Sequence, residues 1–253
     1  MEKRPIVIMA AMESEANFLL EKLKNVNWET INQYKFYEGT INSYPVVVCR
    51  CNVMSINASI ASCIAIQKYH PITIISQGTA GGHGKDIHSG DIIIGQKCVN
   101  IMSSKTPAKK DGEGSNSLDW ELINFISGEE DRLIYQLSNE HLVELCKTIT
   151  YTEGIVHFGI LGSGDVWNKE TDRILHLNQK YGTLCEDMES IAIYTVANNF
   201  NIPVIGIRII SNNESLGEPF DSNTALECQK FVYEFVLKLI EENKYFLKNR
   251  YFL

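Results

Sequence analysis

Residues 204–210, VIGIRII, are apolar throughout except at Arg208. Two other stretches, residues 72–76 (ITIIS) and 155–161 (IVHFGIL), are also mostly apolar and do not alternate with polar residues. Strands of this composition are buried on both faces, as in a sheet that lies between two layers of helices. The three stretches therefore predict the central strands of an α/β fold.

The segments on either side of these strands support the same fold class, because strands that alternate with helices are typical of α/β domains. Further strands are predicted at residues 6–10, 34–38, 45–51 and 91–95, and helices at 12–24, 55–68, 129–148, 186–200 and 224–248. No stretch has the composition of an interdomain linker, so we expect one domain over residues 1–253. Residues 103–125 are polar and predict one long loop.

The composition argues against several classes of protein. The net charge is −8, whereas proteins that bind nucleic-acid backbones usually carry a basic face. The seven cysteines are scattered and odd in number, which favours free thiols in a reducing, cytoplasmic compartment. No apolar run approaches membrane-spanning length, and the six histidines lack metal-ligand spacing. We therefore expect no nucleic acid, membrane, metal or cofactor as a partner, and we expect His83 and His88 to face solvent.

Chemically informative residues follow the predicted strands, where sheets of this class bind ligands. Glu15, in AMESE (residues 11–15), is placed to act as a general base, although an acidic first helical turn has the same pattern. The glycines of GTAGG (residues 78–82) let backbone amides approach a ligand, or form a tight turn. Trp167 suits stacking on a flat base or packing in the core.

Two further strand ends carry charge. Glu186, Asp187 and Glu189 open a predicted helix. Glu186 and Glu189 would share one face of that helix, where Glu189 suits hydrogen bonds from sugar hydroxyls, although an acidic turn at the surface has the same pattern. Arg208 lies within an apolar strand, and because a buried unpaired Arg is very costly, it must meet a carboxylate or an anion. Arg208 is the strongest purely physical indication of a site.

The order of five segments gives the sequence a resemblance to a known family. The segments are AMESE (11–15), GTAGG (78–82) with the following SGDIII (89–94), SGDVW (163–167), EDMES (186–190) and RIISN (208–212). The sequence resembles the purine nucleoside phosphorylase superfamily and, within it, the methylthioadenosine/S-adenosylhomocysteine nucleosidases. The resemblance implies a three-layer α/β sandwich around a mixed, partly barrel-like sheet, a homodimer, and cleavage of the bond between a purine and C1′ of ribose.

The resemblance also implies roles for individual residues. Glu15 would activate the attacking water, Glu189 would accept from the 2′ and 3′ hydroxyls, and Trp167 would stack on the purine. Thr79 and Arg208 would hold the water or touch the ribose. The other implied substrate-binding residues are Ala80, Gly81, Val166, Asn168, Asp187, Met188 and Ser211, with Met12, Val53 and Phe220 bordering the 5′ substituent.

Asn212 departs from the family pattern, which has an Asp that donates a proton to N7 of adenine. An amide cannot supply that proton, although it can donate a hydrogen bond to N7 or O6 of a 6-oxopurine. Asn at this place is a feature of enzymes that act on inosine, guanosine or futalosine. Adenine and a 6-oxopurine therefore both stay open as the base. A second departure is residues 52–55 (NVMS), where the family has a Gly-rich turn.

The nucleophile and the activity also have alternatives. Glu15 would repel phosphate, which favours hydrolysis by a nucleosidase. Arg50 is a possible phosphate ligand, so a phosphorylase is the second hypothesis. Asn212 in place of Asp adds a futalosine-type hydrolase acting on a 6-oxopurine to that alternative. The third is a catalytically silent nucleoside-binding protein, against which the presence of Glu15, Glu189 and Arg208 argues.

Overall fold

A computed structural model describes residues 3–249 of the chain, with side chains to Glu242. Its strands are β1 Ile6–Ala10, β2 Lys24–Ile31, β3 Tyr34–Ile41, β4 Tyr44–Arg50, β5 Thr73–Gly82, β6 Ile92–Asn100, β7 Ser104–Lys105, β8 Glu121–Leu122, β9 Tyr135–Leu137, β10 Val156–Ser163, β11 Thr183–Asp187 and β12 Val204–Asn212. Its helices are α1 Asn17–Lys22, α2 Ser55–Tyr69, α3 Glu140–Cys146, α4 Thr171–Tyr181, α5 Ser190–Asn199 and α6 Thr224–Asn249.

The large sheet is mixed and closes partly on itself. Its strand order is β11-β10-β6-β12-β5-β1-β4-β3-β2, and β9 pairs with β6. Strands β1, β4, β5 and β12 pair in parallel, whereas β12 is antiparallel to β6. The first strand of the order, β11, also pairs antiparallel with β5, which closes one end of the sheet into a barrel. The predicted mixed, partly barrel-like sheet is confirmed.

Helices cover both faces of this sheet. One buried cluster contains Phe231 and Phe235 of α6 and Leu142 of α3, packed on strand residues such as Ile207. A second cluster, on the other face, contains residues of α2 and α5, among them Tyr194. Every residue of β12 is buried, as its continuous apolar pattern predicts. Each fully buried Ile or Phe side chain stabilises the fold by roughly 1.5–3 kcal/mol. The predicted three-layer α/β sandwich is therefore confirmed.

Two predicted helices are wrong in part. Within residues 129–148, β9 pairs with β6, and α3 begins only after Asn139, whose side chain caps it by accepting from the Leu142 N–H. Residues 186–200 begin as strand β11, and α5 starts at Ser190. Glu186 and Glu189 therefore do not share a helix face, because Glu186 is paired in the sheet.

Other boundaries also differ from the predictions. Helix α1 starts at Asn17 rather than residue 12, because the preceding turn folds Glu15 back onto the N–H groups of Ala11 and Met12. Strand β2 and helix α4 are absent from the sequence predictions. Strands β5 and β12 continue through GTAGG and RIISN to Gly82 and Asn212, whereas β10 ends at Ser163, the first residue of SGDVW. No helix within residues 3–249 is both long and apolar enough to cross a membrane.

Candidate active site

A cavity of about 520 Å³ lies beside the carboxyl ends of β1, β5, β11 and β12. Its size is within the range of small-molecule sites. Every catalytic or substrate-binding residue that the family resemblance implies lines this cavity except Arg208. Seven further residues also line it, namely Ala11, Met54, Gly82, His83, Ile174, Glu186 and Glu214.

The Glu15 carboxylate is buried at one wall of the cavity and fixed by four hydrogen bonds. Its Oε2 accepts from the N–H groups of Ala11 and Met12, both at 3.1 Å. Its Oε1 accepts from the N–H of Thr79 at 2.8 Å and from the Thr79 hydroxyl at 3.1 Å. Both oxygens therefore have set positions before any ligand arrives, which is the preorganisation that a general base needs.

Gly78 permits this position of Glu15. A Cβ on Gly78 would lie 2.6 Å from Oε1 of Glu15, and its φ of +153° is a conformation that other residues rarely adopt. The sequence predicts close approach of a ligand or a tight turn at the glycine that opens GTAGG, and the structure instead places a carboxylate against it.

Glu189 is the second buried carboxylate on the cavity wall. Its Oε1 accepts from the N–H of Met54 at 2.8 Å. Met54 has φ +82° and ψ 156°, a region that is essentially reserved for glycine. Burial, together with the charge of Asp187, raises the pKa of Glu189 to about 8, although Arg208 acts in the opposite direction. Glu189 is thus a carboxylate whose ionisation falls near neutral pH.

Arg208 and Asp187 form a buried ion pair next to these carboxylates. Nε of Arg208 donates to Oδ2 of Asp187 at 2.9 Å, and Nη2 donates to the hydroxyls of Ser76 and Ser190, also at 2.9 Å. Arg208 thus meets the carboxylate that its burial requires. Burial alone would raise the pKa of Asp187, but the Arg208 charge and hydrogen bonds from Ser190 hold it below its ordinary value. The structure places Arg208 behind the cavity wall, not on it.

Aromatic residues lie at the mouth of the cavity. The rings of Trp167 and Phe220 are 6.0 Å apart between centroids, and about half of each side chain is exposed. Trp167 therefore does not pack in the core. Its loop is tied to the start of α2, because the Asp165 carboxylate accepts from the N–H of Ser55 at 2.7 Å and from its hydroxyl at 2.6 Å. An exposed aromatic pair at a cavity mouth can cover a flat apolar ligand.

His83 is buried, so the prediction that it faces solvent is wrong. Its Nδ1 lies 2.8 Å from the Thr183 hydroxyl and its Nε2 lies 3.2 Å from Oε2 of Glu186. The cause is that β5 continues through Gly82, so that His83 enters the interior beside β11. His88 is exposed and pairs with Glu218, as expected for a solvent-facing residue.

The Asn212 side chain lies beside its neighbour Ser211. The Ser211 hydroxyl is 3.0 Å from Oδ1 of Asn212 and 3.2 Å from the carbonyl of Ala80. Donation to Oδ1 orients the amide so that Nδ2 is the atom left for a ligand. Within residues 3–249, Nδ2 of Asn212 has no protein acceptor. Asn212 therefore offers the N–H groups of Nδ2 to the cavity.

Neither Arg50 nor the segment 103–125, which the sequence predicts as one long loop, lines the cavity. Arg50, the possible phosphate ligand, pairs instead with Glu13 at 3.1 Å. The segment 103–125 contains the short hairpin β7–β8 and a one-turn helix at Ser117–Asp119, and it borders a separate hollow at the start of α4. Within the described chain, no cluster of His, Cys, Asp or Glu is arranged to hold a metal ion.

Glu186, His83 and Met54 are cavity residues that sequence reasoning missed. In the sequence, Glu186 stands out only as part of an acidic run. Its proximity to GTAGG depends on the pairing of β5 with β11, which no local sequence pattern encodes. Met54 could have been predicted from the sequence, because it stands where the family that the sequence resembles has a Gly-rich turn.

Comparisons with known proteins are consistent with this geometry. The family model described as "Phosphorylase superfamily" matches residues 5–241. A 5′-methylthioadenosine/S-adenosylhomocysteine nucleosidase of Halalkalibacterium halodurans is 28% identical over 211 residues, covering 82% of this chain and 84% of the relative. One from Bacillus cereus is 24% identical over 249 residues, covering 94% and 99%.

Solved structures show the same fold. The nucleosidase of that name from Neisseria meningitidis, in complex with methylthio-immucillin-A, superposes with a TM-score of 0.75 at 22% identity, over 92% of this chain and 98% of that one. A futalosine hydrolase mutant from Helicobacter pylori superposes with a TM-score of 0.75 at 19% identity, over 94% and 99%.

Proposed function

The chain belongs to the phosphorylase superfamily, and from this membership we propose that it is a purine nucleosidase, which hydrolyses the bond between a purine and C1′ of ribose. The resemblance drawn from the sequence motifs is thereby confirmed. Relatives named as methylthioadenosine/S-adenosylhomocysteine nucleosidases support hydrolysis of a purine nucleoside. The single observation that carries the proposal is the presence of Glu15 and Glu189 as two fixed, buried carboxylates in one cavity.

Glu189 is the residue that we assign to the ribose. An ionised carboxylate only accepts hydrogen bonds, and the 2′ and 3′ hydroxyls of ribose are two adjacent donors. One acceptor position of Glu189 is occupied by the Met54 N–H, which holds the carboxylate toward the cavity. Met188 and Thr79, which also line the cavity, would border the sugar.

Glu15 is the residue that we assign to the water. As the bond to the purine lengthens, positive charge develops on the sugar, and the two carboxylates stabilise that charge. The Thr79 hydroxyl turns from Oε1 of Glu15 toward the water, and Oε1 takes a proton from the water as the water oxygen bonds to C1′. The electrons of the broken C1′–N bond leave with the purine, which Asn212 holds by a hydrogen bond until the base takes a proton from solvent.

Water is a better nucleophile for this cavity than phosphate. Neither Lys nor Arg occurs among the described residues that line it, whereas five carboxylate residues do. A phosphate dianion in this position would meet Glu15 with no cation to offset the repulsion. The engagement of Arg50 with Glu13 removes the cation that favoured a phosphorylase.

An apolar 5′ substituent fits the cavity mouth. Met12, Val53, Met54 and Phe220 line it there, and Val53, Met54 and Phe220 are each more than a third exposed. Covering exposed apolar side chains with a thioether or alkyl group removes apolar surface from water and stabilises the complex. We therefore assign these residues to a 5′-alkylthio group such as that of methylthioadenosine.

The chain would act as one domain, as a homodimer, in the cytoplasm. All seven cysteines are free thiols, which suits a reducing compartment. Ile56 and Ile60 on α2 are exposed beside Met54 at the cavity mouth, where a second subunit would bury them. Light scattering coupled to gel filtration tests the dimer, and a mass near 28.6 kDa, that of one chain, would contradict it.

The test of the function is release of free base from nucleosides. Methylthioadenosine, adenosine, inosine and guanosine would each be incubated with the protein, with and without phosphate, and the free base measured. We expect release that does not depend on phosphate. Glu15→Gln should lower the rate of release by at least about 100-fold and leave nucleoside binding largely intact. Glu13→Gln is the matched control from the same motif, because Glu13 is exposed and pairs with Arg50 outside the cavity.

Three results would change the proposal. Release only with phosphate would identify a phosphorylase. Binding without release from any substrate would identify a nucleoside-binding protein. Equal activity of the Glu15→Gln and Glu13→Gln variants would remove Glu15 from the mechanism.

A further inference from the structure

Two buried glutamines lie against the turn that carries Glu15. Gln77 of β5 is 2% exposed and Gln229 of α6 is 1% exposed. Nε2 of Gln77 donates to the backbone carbonyl of Glu15 at 2.7 Å. Nε2 of Gln229 donates to the backbone carbonyl of Ser14 at 2.8 Å. Two successive carbonyls of the AMESE turn are thus each held by a side-chain amide from a distant element.

The Gln229 amide interrupts the first turn of α1. Phe18 is near the start of α1, and in a continuous helix its N–H would donate to the Ser14 carbonyl, at position i−4. The Phe18 N–H donates instead to Oε1 of Gln229 at 2.9 Å, while Nε2 of the same amide binds the Ser14 carbonyl. A further bond from Nε2 to the carbonyl of Ala225 fixes the amide on α6. Gln229 therefore separates the AMESE turn from the helix that follows it.

The Gln77 side chain is buried at an energetic cost. Its Oε1 has no hydrogen-bond partner among the described residues, and the bond to Glu15 is the only one that its side chain makes there. The orientation of the amide follows from that bond, because only the NH₂ end can donate to a carbonyl. A buried acceptor without a partner destabilises a fold, and an apolar side chain of the same length would avoid that cost. What the amide adds is the contact with Glu15.

Strand β5 thus holds Glu15 at both ends. The Thr79 N–H fixes the carboxylate at 2.8 Å, and Gln77 fixes the carbonyl. The backbone of Glu15 determines where its side chain begins, so a shift of this peptide would carry the carboxylate away from its donors. Neither glutamine lines the cavity, so neither would touch the substrate. We propose that Gln77 and Gln229 are positioning residues that hold Glu15 in place as the general base. This inference rests on the proposed nucleosidase function.

Gln77→Met and Gln229→Met test the proposal, because each keeps the length of the side chain and removes the amide. A displacement of about 1 Å at a catalytic group can lower the rate about 100-fold, so kcat of each variant should fall at least about tenfold. KM for the nucleoside should stay within about twofold, because the loss concerns the chemical step and not the binding of the substrate.

Thr73→Val is the matched control for Gln77→Met. Thr73 is the first residue of β5, at the end away from the cavity, and it is 2% exposed. Its hydroxyl donates to the carbonyl of Pro203 at 2.9 Å, so this variant also removes a buried donor to a backbone carbonyl. Gln77→Met should melt no lower than Thr73→Val, since it also removes a buried acceptor without a partner. Only Gln77→Met should lose kcat.

Amide hydrogen exchange measures the position of Glu15 without any turnover. The N–H groups of Met12 and Thr79 donate to its carboxylate at 3.1 Å and 2.8 Å. In Gln77→Met, the exchange of these two N–H groups, followed by NMR, should be at least about tenfold faster than in the native protein. Thr73→Val should leave both at the native rate. A loss of packing alone would not single out the two donors to Glu15.

A double variant tests whether Gln77 acts through Glu15. In the Glu15→Gln background, Gln77→Met should lower base release no further, because no general base is left to position. A further tenfold loss in that background, or native exchange rates at Met12 and Thr79 in Gln77→Met, would overturn the proposal.

The exchange measurement separates this inference from the proposed function. If the native protein releases no base, the nucleosidase is wrong, and the exchange rates alone decide whether the glutamines position Glu15. If Gln77→Met does not fold, as judged by its melting curve, Gln229→Met decides, because Gln229 reaches the same turn from α6.

Discussion

Arg208, behind the cavity wall, and Asp187, which lines the cavity, form a buried ion pair with 2.9 Å between Nε and Oδ2. Asp187 also accepts from the N–H groups of Glu189 and Ser190, so the same carboxylate caps α5 and holds the backbone of Glu189. The pair thus connects β12 and β11 to the residue that we assign to the ribose. Removing one partner leaves the other as an uncompensated buried charge.

Asp187→Asn should therefore lower the free energy of unfolding by about 3 kcal/mol or more, because Arg208 stays charged and loses its ion pair. Urea denaturation followed by circular dichroism measures the change. The exposed pair of Glu144 with Lys147 is the control, and Glu144→Gln should cost less than about 1 kcal/mol. Similar losses in the two variants would mean that the buried pair adds nothing beyond an exposed one.

Gly78→Ala should damage catalysis more than stability. Its new Cβ would fall 2.6 Å from Oε1 of Glu15, so the carboxylate must move. A displacement of about 1 Å at a catalytic group can lower the rate about 100-fold. Base release and urea denaturation would be measured together.

The matched control for Gly78→Ala is Gly112→Ala. Gly112 also has positive φ, +82°, but a Cβ there meets nothing within 4 Å. The Gly112→Ala variant should lose about 1 kcal/mol of stability from backbone strain and keep the activity of the native protein. Equal activities of the two alanine variants would show that Glu15 tolerates displacement.

The extent to which the sequence predicted this site has a physical explanation. Glu15, Thr79, Trp167, Glu189 and Asn212 stand in short motifs whose order along the chain was informative, and all five residues line the cavity. The continuous apolar strands likewise predicted the buried sheet, because burial on both faces leaves a pattern in a single segment.

What the sequence could not predict depends on pairing between distant segments. Glu186 opposes Gly81 only because β11 closes onto β5, more than a hundred residues apart in the chain. His83 has a polar, unremarkable neighbourhood in the sequence, and its burial follows from the same closure. Helix α5 began later than predicted because the Asp187 side chain caps it from within a strand.

The pH dependence of activity should report on Glu189. Its raised pKa, about 8, means that the carboxyl is protonated in much of the free enzyme at neutral pH. Only the ionised form accepts from both ribose hydroxyls, so kcat/KM should rise with pH until about 8 and then level. Initial rates from pH 6 to about 9.5 measure the profile. If kcat/KM of the Glu189→Gln variant rises with pH in the same way, the rise belongs to the titration of another group.

The contribution of Glu189 to the free energy of unfolding should decrease as pH rises, whereas its contribution to activity increases. In the unfolded chain Glu189 titrates near its ordinary value of 4.5, and in the folded chain near 8. Between these values the folded state binds more protons, so the contribution of Glu189 to the free energy of unfolding decreases as pH rises. Glu189→Gln should remove this decrease. Urea denaturation of both proteins at several pH values in this interval measures it, and identical slopes would contradict the assignment.

Met54→Gly should stabilise the fold by about 1 kcal/mol, because φ +82° with ψ 156° strains a residue that has a side chain. Its N–H would still donate to Glu189, so kcat should change little. KM for a 5′-alkylthio nucleoside should rise, since Met54 lines the cavity mouth. Thermal melting and steady-state kinetics measure the two effects. A lower melting temperature would show that the Met54 side chain contributes more by packing than it costs in strain.

Asn212→Asp should change which base leaves most readily. A protonated Asp can give a proton to N7, which adenine needs in order to depart, so kcat for 5′-methylthioadenosine should rise at least about tenfold and more at lower pH. The 6-oxopurine substrate should be cleaved more slowly, because an ionised Asp would face O6 with an acceptor. Rates of base release from 5′-methylthioadenosine and 5′-methylthioinosine at several pH values measure both changes. An unchanged rate on 5′-methylthioadenosine in Asn212→Asp would show that protonation of N7 from this position does not limit the departure of adenine.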